Sequence, residues 1–137
     1  MGTIIFIDTS TFVAILANEP DRDAFIAAIE AADRRVTSPV VRLETCIVLS
    51  SRLDFPPQAA EAQFNRLAEE AGIDEIEVTR AIGVAAVDCF TRFGNGRHPA
   101  RLNFADCLSY ACARAHNATL LYTGDDFAKT DVNSVRT

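Results

Sequence analysis

The sequence has no tryptophan and one methionine, and these two shortages exclude little. The other absences say more. No apolar run approaches the roughly 20 residues needed to cross a bilayer, so no membrane partner is expected. The first residues lack the basic start, apolar centre and small-residue cleavage site of a secretion signal, and a soluble, cytoplasmic protein is expected. No two of the four cysteines, Cys46, Cys89, Cys107 and Cys112, form a C-x-x-C pair. The two histidines, His98 and His116, stand at no zinc-site spacing from them. All four thiols fall in apolar helical patterns, where a free cysteine behaves as a small hydrophobe, and a reducing compartment fits them. A positive balance is missing too: 13 Lys and Arg face 19 Asp and Glu, for a formal net charge of -6. That argues against a protein that holds nucleic acid by bulk charge, but not against one that does so through metal ions and a local basic patch. There are no repeats, low-complexity tracts or long linkers.

What is present is a chain of 137 residues, 49% hydrophobic, read as one domain over 1–137 with a core of its own. Strand-like runs alternate with helical patterns. A strand over 3–7 leads into a helix over about 10–17, and a second helix follows Pro20 with Phe25, Ile26 and Ile29 on one face. "RRVTSPVV" reads as a brief strand ending near Pro39, followed by a helix over about 40–53 that "DFPPQ" breaks. An amphipathic helix closed by Gly72 comes next. "DEIEVT", with Ile76 and Val78 alternating, predicts a third strand. A helix over about 80–93, a loop "GNGRHPAR", a helix over "NFADCLSYACARAHN" and a strand "ATLLYTG" follow. "DDFAKTDVNSVRT" reads as a helical turn and tail. Strands separated by helices of this length imply right-handed crossovers and a parallel sheet covered on both faces. The fold class is therefore α/β, three layers, with a central parallel sheet of four to five strands.

The carboxylates gather where such a sheet places its sites. Asp8 ends the first strand, and Asp125 and Asp126 follow the fourth directly. In an open parallel sheet, ligands bind beyond the carboxyl ends of the strands. Glu44 sits early in the helix after strand two, inside an apolar stripe of Val40, Val41, Ile47 and Val48, where an unpaired carboxylate is costly. Asp106 lies in the first turn of its helix, three residues after Asn103, which suits the N-cap. Singly, each acid has a structural explanation: Asp8 and Asp125 as caps, Asp106 as a dipole partner, Glu44 as the ion-pair mate of Arg42 or Arg52. Together, acids at one edge repel and raise one another's pKa values unless a divalent cation lies among them. With oxygen-only ligands that ion is Mg²⁺, or Mn²⁺ as a substitute, and its remaining ligands are usually waters and phosphate oxygens. Phosphoryl chemistry is the expectation, with Asp8 mounted on a rigid strand end and Ser10 seating it.

"IIFIDTSTFVAIL", "SPVVRLETCIVL", "LNFADCLSYACARA" and "LLYTGDDF" resemble, in order and spacing, the motifs of a PIN-domain protein. The resemblance is closest to the small bacterial VapC-type toxins of toxin–antitoxin pairs, and it covers essentially the whole chain. It implies a PIN-like α/β/α fold, a Mg²⁺- or Mn²⁺-dependent endoribonuclease, an antitoxin partner and a homodimer. Asp8, Glu44 and Asp106 match the first three acids, with Asp8 and Asp106 as metal ligands, and Ser10 and Asn103 match accompanying polar positions. The last motif departs from the pattern, because Gly124 takes the earlier acidic slot. Asp125 is the favoured fourth acid, Asp126 its rival and Asp131 a remote candidate.

Between Thr91 and Arg101 the chain carries Arg92, Arg97, His98 and Arg101 and no acid. Arg97 and Arg101 are candidate RNA contacts, against the alternative of a solvated basic loop. His98 reads as a loop residue rather than a general base, and His116 as a partner of helix-terminal carbonyls. A haloacid-dehalogenase-type phosphatase would need a second Asp at position 10, and an adhesion module of the von Willebrand A type would need a serine at position 12. Neither explains Glu44 and Asp106 together. A degenerate PIN domain acting only as a binding partner or regulator is the remaining alternative, and the full set of acids counts against it.

Overall fold

The computed structural model describes residues 2–135. Its elements are β1 (Ile4–Ile7), α1 (Thr9–Leu16), α2 (Arg22–Ala31), β2 (Arg34–Thr37), α3 (Pro39–Leu53), α4 (Pro57–Ala71), β3 (Asp74–Glu75), α5 (Arg80–Phe93), α6 (Phe104–Ala115), β4 (Thr119–Leu121) and β5 (Ser134–Val135), with a 3₁₀ turn at Phe127–Lys129. The five strands form one sheet in the order β3-β2-β1-β4-β5. Every pairing is parallel. The α/β/α reading with four to five parallel strands therefore holds. No described helix is long and apolar enough to cross a membrane.

The strand order reverses at β1. The chain moves outward to β2 and β3 and then returns to the other side of β1 as β4. The crevice between the carboxyl ends of β1 and β4 is thus the switch point, where an open parallel sheet binds its ligands.

β1 is central because it can be buried on both faces: Ile5, Phe6 and Ile7 are almost fully enclosed. Phe6, Phe12, Phe25, Phe64 and Leu120 fill the core. Phe12 of α1 stacks on Phe64 of α4 with ring centroids 4.4 Å apart. Each such ring contributes about 1.5–3 kcal/mol by leaving water. The four cysteines are free and buried, as expected of small hydrophobes.

Local chemistry sets the boundaries. α3 begins one residue earlier than its apolar pattern, because Pro39 fits the first helical position and Ser38 Oγ accepts from Val41 N at 3.3 Å. Gly72 closes α4 in the left-handed region, at φ 63°.

Two expectations are revised. The third strand covers only Asp74 and Glu75, because its neighbour β2 ends at Thr37, where Ser38 caps α3. Ile76 N still donates to Thr37 O at 2.8 Å and Ile76 is buried, but Val78 faces solvent. The tail is more ordered than its composition suggests, since 134–135 pairs with β4 as an edge strand. Residues 136–137 of that expected tail lie outside the described residues.

Candidate active site

Asp8 is fixed by the sheet before it can serve anything else. Its backbone N donates to Leu121 O of β4 at 3.1 Å, and Thr11 Oγ1 donates to the same carbonyl at 2.9 Å. The extended backbone of Asp8 makes it the N-cap of α1. Its Oδ2 accepts from Ser10 N at 3.1 Å and from Ser10 Oγ at 2.8 Å. Ser10 Oγ in turn accepts from Thr123 N at 3.0 Å, which ties the carboxylate to the chain just after β4. The Ser109 hydroxyl of α6 also favours the charged form of Asp8. Asp8 is only 5% exposed, and burial raises its pKa despite these bonds.

Glu44 approaches from α3. Arg42, a candidate mate for it, is taken by Glu75, Glu61 and Asn65. Arg52, the other, pairs with Glu19 at 3.8 Å. Glu44 is therefore left without an ion-pair partner among the described residues. Burial raises its pKa, the Thr9 hydroxyl opposes this, and the charge of Asp8 adds to the rise. Thr9 Oγ1 is itself buried and meets no partner at full hydrogen-bond distance.

Asp106 comes from α6. Asn103 Oδ1 accepts from Asp106 N at 2.9 Å, and Asp106 Oδ2 accepts from Asn103 N at 3.0 Å, a reciprocal capping box. Burial is the main force on this carboxyl. The Asn103 hydrogen bond opposes it, but the charges of Asp8, Glu44 and Asp126 add to it, and the pKa is pushed up to about 7.

The three acids line one cleft of about 190 Å³, together with Thr9, Ser10 and Thr123, the apolar side chains of Val13 and Val48, and Glu19 and Arg52. They share the cleft without forming a finished cage. Among the described residues, no three acids, imidazoles or thiols are grouped tightly enough to hold an ion alone. Such a set needs waters or substrate oxygens to complete a coordination shell, which is how Mg²⁺ is usually held.

The remaining candidates separate. Ser10 and Asn103 each hold an acid of the cleft. Asp125 and Asp126 are exposed beyond β4, and Asp126 is the one whose charge is felt at Asp106. Asp131 lies in another network, where it accepts from Tyr110 Oη and from Arg92 at 2.7 Å and pairs with Arg114 at 3.2 Å. Burial opposes the effect, but those hydrogen bonds and charges hold its carboxyl down at about 2. Arg97 and Arg101 are exposed and do not line the cleft. The Arg97 guanidinium lies 5.4 Å over the Phe90 ring. Their loop is closed at its base by the Gly94–Leu102 bridge and leads directly into the Asn103 cap. A Cβ at Gly94 would stand 2.3 Å from the Phe90 ring, so this closure requires glycine. His98 Nδ1 accepts from Ala100 N at 3.0 Å, a loop-fixing role.

Sequence reasoning missed Thr9, Glu19, Arg52, Ser109 and Thr123. Arg52 stands two helical steps of four residues beyond Glu44, and Ser109 three residues beyond Asp106, so helical spacing carries both. Nothing in the sequence pattern signals Glu19.

Asn103→Ala is expected to lower stability by about 1 kcal/mol through loss of the cap. Freed Asp106 should also weaken Mn²⁺ binding by about tenfold, as loss of a supporting partner does. Calorimetric titration and thermal melts of the one variant read both effects.

A family model described as the PIN domain matches residues 5–133. The chain is 37% identical over 129 residues to VapC ribonuclease Mb0640 of Mycobacterium bovis, covering 94% of this chain and 96% of that protein. This chain belongs to the VapC group of PIN-domain proteins. It is also 41% identical over 129 residues to ribonuclease VapC28 of Mycobacterium tuberculosis, with 93% and 95% covered. Among solved structures, its PIN fold is similar to Mycobacterium tuberculosis VapC20, described as a sarcin-ricin loop cleaving toxin. The TM-score is 0.75, with 20% identity, 97% of this chain and 99% of that one. VapBC2 from Rickettsia felis, solved with a promoter DNA fragment, gives a TM-score of 0.74, 15% identity and coverage of 97% and 98%.

Proposed function

We propose that this PIN-domain chain, over 1–137, is a divalent-cation-dependent endoribonuclease and the toxin of a toxin–antitoxin pair, acting in the cytoplasm. The observation that carries the reading is the acidic cleft at the switch point. Burial raises the pKa of Asp8, Glu44 and Asp106 there; the charge of Asp8 adds to the rise at Glu44, and the charges of Asp8 and Glu44 add to it at Asp106. The names of its relatives, VapC ribonucleases and solved toxin–antitoxin complexes, support the same activity and partner.

The donor set suits a hard cation. All its atoms are oxygens, and the carboxylates repel one another without one. Asp8 and Asp106 would hold Mg²⁺, or Mn²⁺ in its place. When bound, the ion supplies activation of water and neutralisation of charge at the phosphate. Ser10 and Asn103 keep the two ligating carboxylates aimed into the cleft. Glu44, unpaired and half-buried, orients the attacking water and takes its proton on a carboxylate oxygen. The pair after β4 supplies the fourth acid. The sequence favours Asp125, and the charge felt at Asp106 favours Asp126. Arg97 and Arg101, on the loop that feeds the Asp106 helix, hold flanking RNA phosphates.

Two exposed apolar faces support protein partners. Leu43 and Ile47 lie bare on α3, while Val84 is exposed on α5 and Val87 and Phe90 of that helix adjoin the exposed Phe104 at the start of α6. An antitoxin and a second copy of this chain would each cover one such face.

Expression of the chain without a partner tests the reading. Growth arrest is expected, with new RNA ends that map to defined sites. Normal growth with intact RNA, while folded protein accumulates, would refute it.

A further inference from the structure

Among the described residues, the cleft is lined by four carboxylates, Asp8, Glu19, Glu44 and Asp106, and by a single cation, Arg52. Resting on the nuclease reading above, we infer that Arg52 grips a backbone phosphate of the RNA strand, next to the phosphate presented to the acids.

α3 mounts it for this task. Glu44, Val48 and Arg52 follow one another at intervals of four residues, so they form one stripe along the helix, and all three line the cleft. Eight residues of helix separate Glu44 from Arg52 by about 12 Å along the axis. A flexible arginine side chain shortens that gap, so its head meets a neighbouring phosphate rather than the one being cut. The negative end of the α3 dipole explains why a cation is welcome in the last turn. It does not explain why that cation shares the stripe of Glu44 or faces the acids.

The donors of Arg52 are also uncommitted. Arg42 is fixed by Glu75, Glu61 and Asn65 and covers the Phe64 ring. Arg92 and Arg114 are held by Asp131. Arg35 donates to the carbonyls of Ala71, Glu30 and Ala32. Among the described residues Arg52 has only the ion pair with Glu19 at 3.8 Å, beyond hydrogen-bond length, and its side chain is 63% exposed. An exposed pair of this kind is worth about 0–1 kcal/mol, so a phosphate displaces Glu19 readily and takes two parallel N–H donors from the guanidinium. Glu19 then acts as the resting partner that keeps Arg52 from folding onto the catalytic acids.

The test uses steady-state cleavage of a fluorogenic random-sequence RNA pool in Mn²⁺, across a range of salt. Arg52→Ala is expected to raise KM about tenfold with kcat nearly unchanged, as loss of one charged phosphate contact does. Its plot of log kcat/KM against log salt should be shallower by about 0.7, the share of one phosphate on a single strand. Arg52→Lys should fall between parent and Arg52→Ala. Glu19→Gln should move KM the opposite way, downward, because it frees the guanidinium. If the ion pair were only structural, both variants would shift KM alike or not at all, and either result overturns the inference. A folded parent that cuts no RNA overturns the nuclease reading itself, and this inference with it.

Discussion

Asp8→Asn is expected to abolish Mn²⁺ binding and RNA cleavage while making the metal-free protein more stable. Loss of a partner that merely supports a ligand costs about 10- to 100-fold in affinity or activity, so loss of a ligand should cost at least about 100-fold. The gain in stability has a separate cause. Asp8 is 5% exposed, and burial of its charge outweighs the support that Ser10 and Ser109 offer it. Asparagine keeps an acceptor oxygen for Ser10 N and carries no charge to desolvate. A gain of about 1 kcal/mol corresponds to roughly 4 °C in Tm for a chain of this size. Calorimetric titration, cleavage assays and melts in EDTA read the three effects. A variant that loses activity and also loses stability would mean that Asp8 is chiefly a helix cap.

The metal-free protein is expected to lose stability as pH rises, and Mn²⁺ to reverse that trend. In the folded chain the Asp106 carboxyl is pushed up to about 7 from an ordinary value of 3.8, and Asp8 and Glu44 are raised as well. Between those values the folded state binds more protons than the unfolded state, so stability falls with pH. The contribution is full below the ordinary carboxylate range and is lost as pH passes through about 7. Melts in EDTA at about pH 5 and pH 8 should therefore place the higher Tm at pH 5. Mn²⁺ needs the ionised acids, so its stabilising effect grows over the same interval. Asp106→Asn should flatten the EDTA profile. A metal-free protein that becomes steadily more stable toward pH 8 would contradict the crowding of charge that the cleft implies.

Much of the site could be read before any fold was known, because strand ends are visible in sequence. The run Ile4–Ile7 places Asp8 at a carboxyl edge, and Asn103 three residues before Asp106 announces a capping box. Glu44 stood out because α3 is otherwise apolar around it. What escaped was whatever depends on elements meeting in space. Glu19 reaches the cleft only because the chain turns after α1 beside the end of α3. Of the exposed pair after β4 the sequence favours Asp125 over Asp126, and only the geometry brings the charge of Asp126 to bear on Asp106. Asp131 was a remote candidate for the fourth acid, but Arg92, Tyr110 and Arg114 claim it. The short third strand was overread because the Ile76–Val78 alternation persists where β2 no longer offers a partner.

The central claim is that the cleft between β1 and β4 is a hard-cation site. The most direct test is the anomalous difference map of crystals soaked in Mn²⁺. A strong peak among the carboxylates of Asp8, Glu44 and Asp106 is expected, absent in Asp8→Asn crystals treated alike. A map with no peak there, at an Mn²⁺ concentration that supports RNA cleavage in solution, would contradict it.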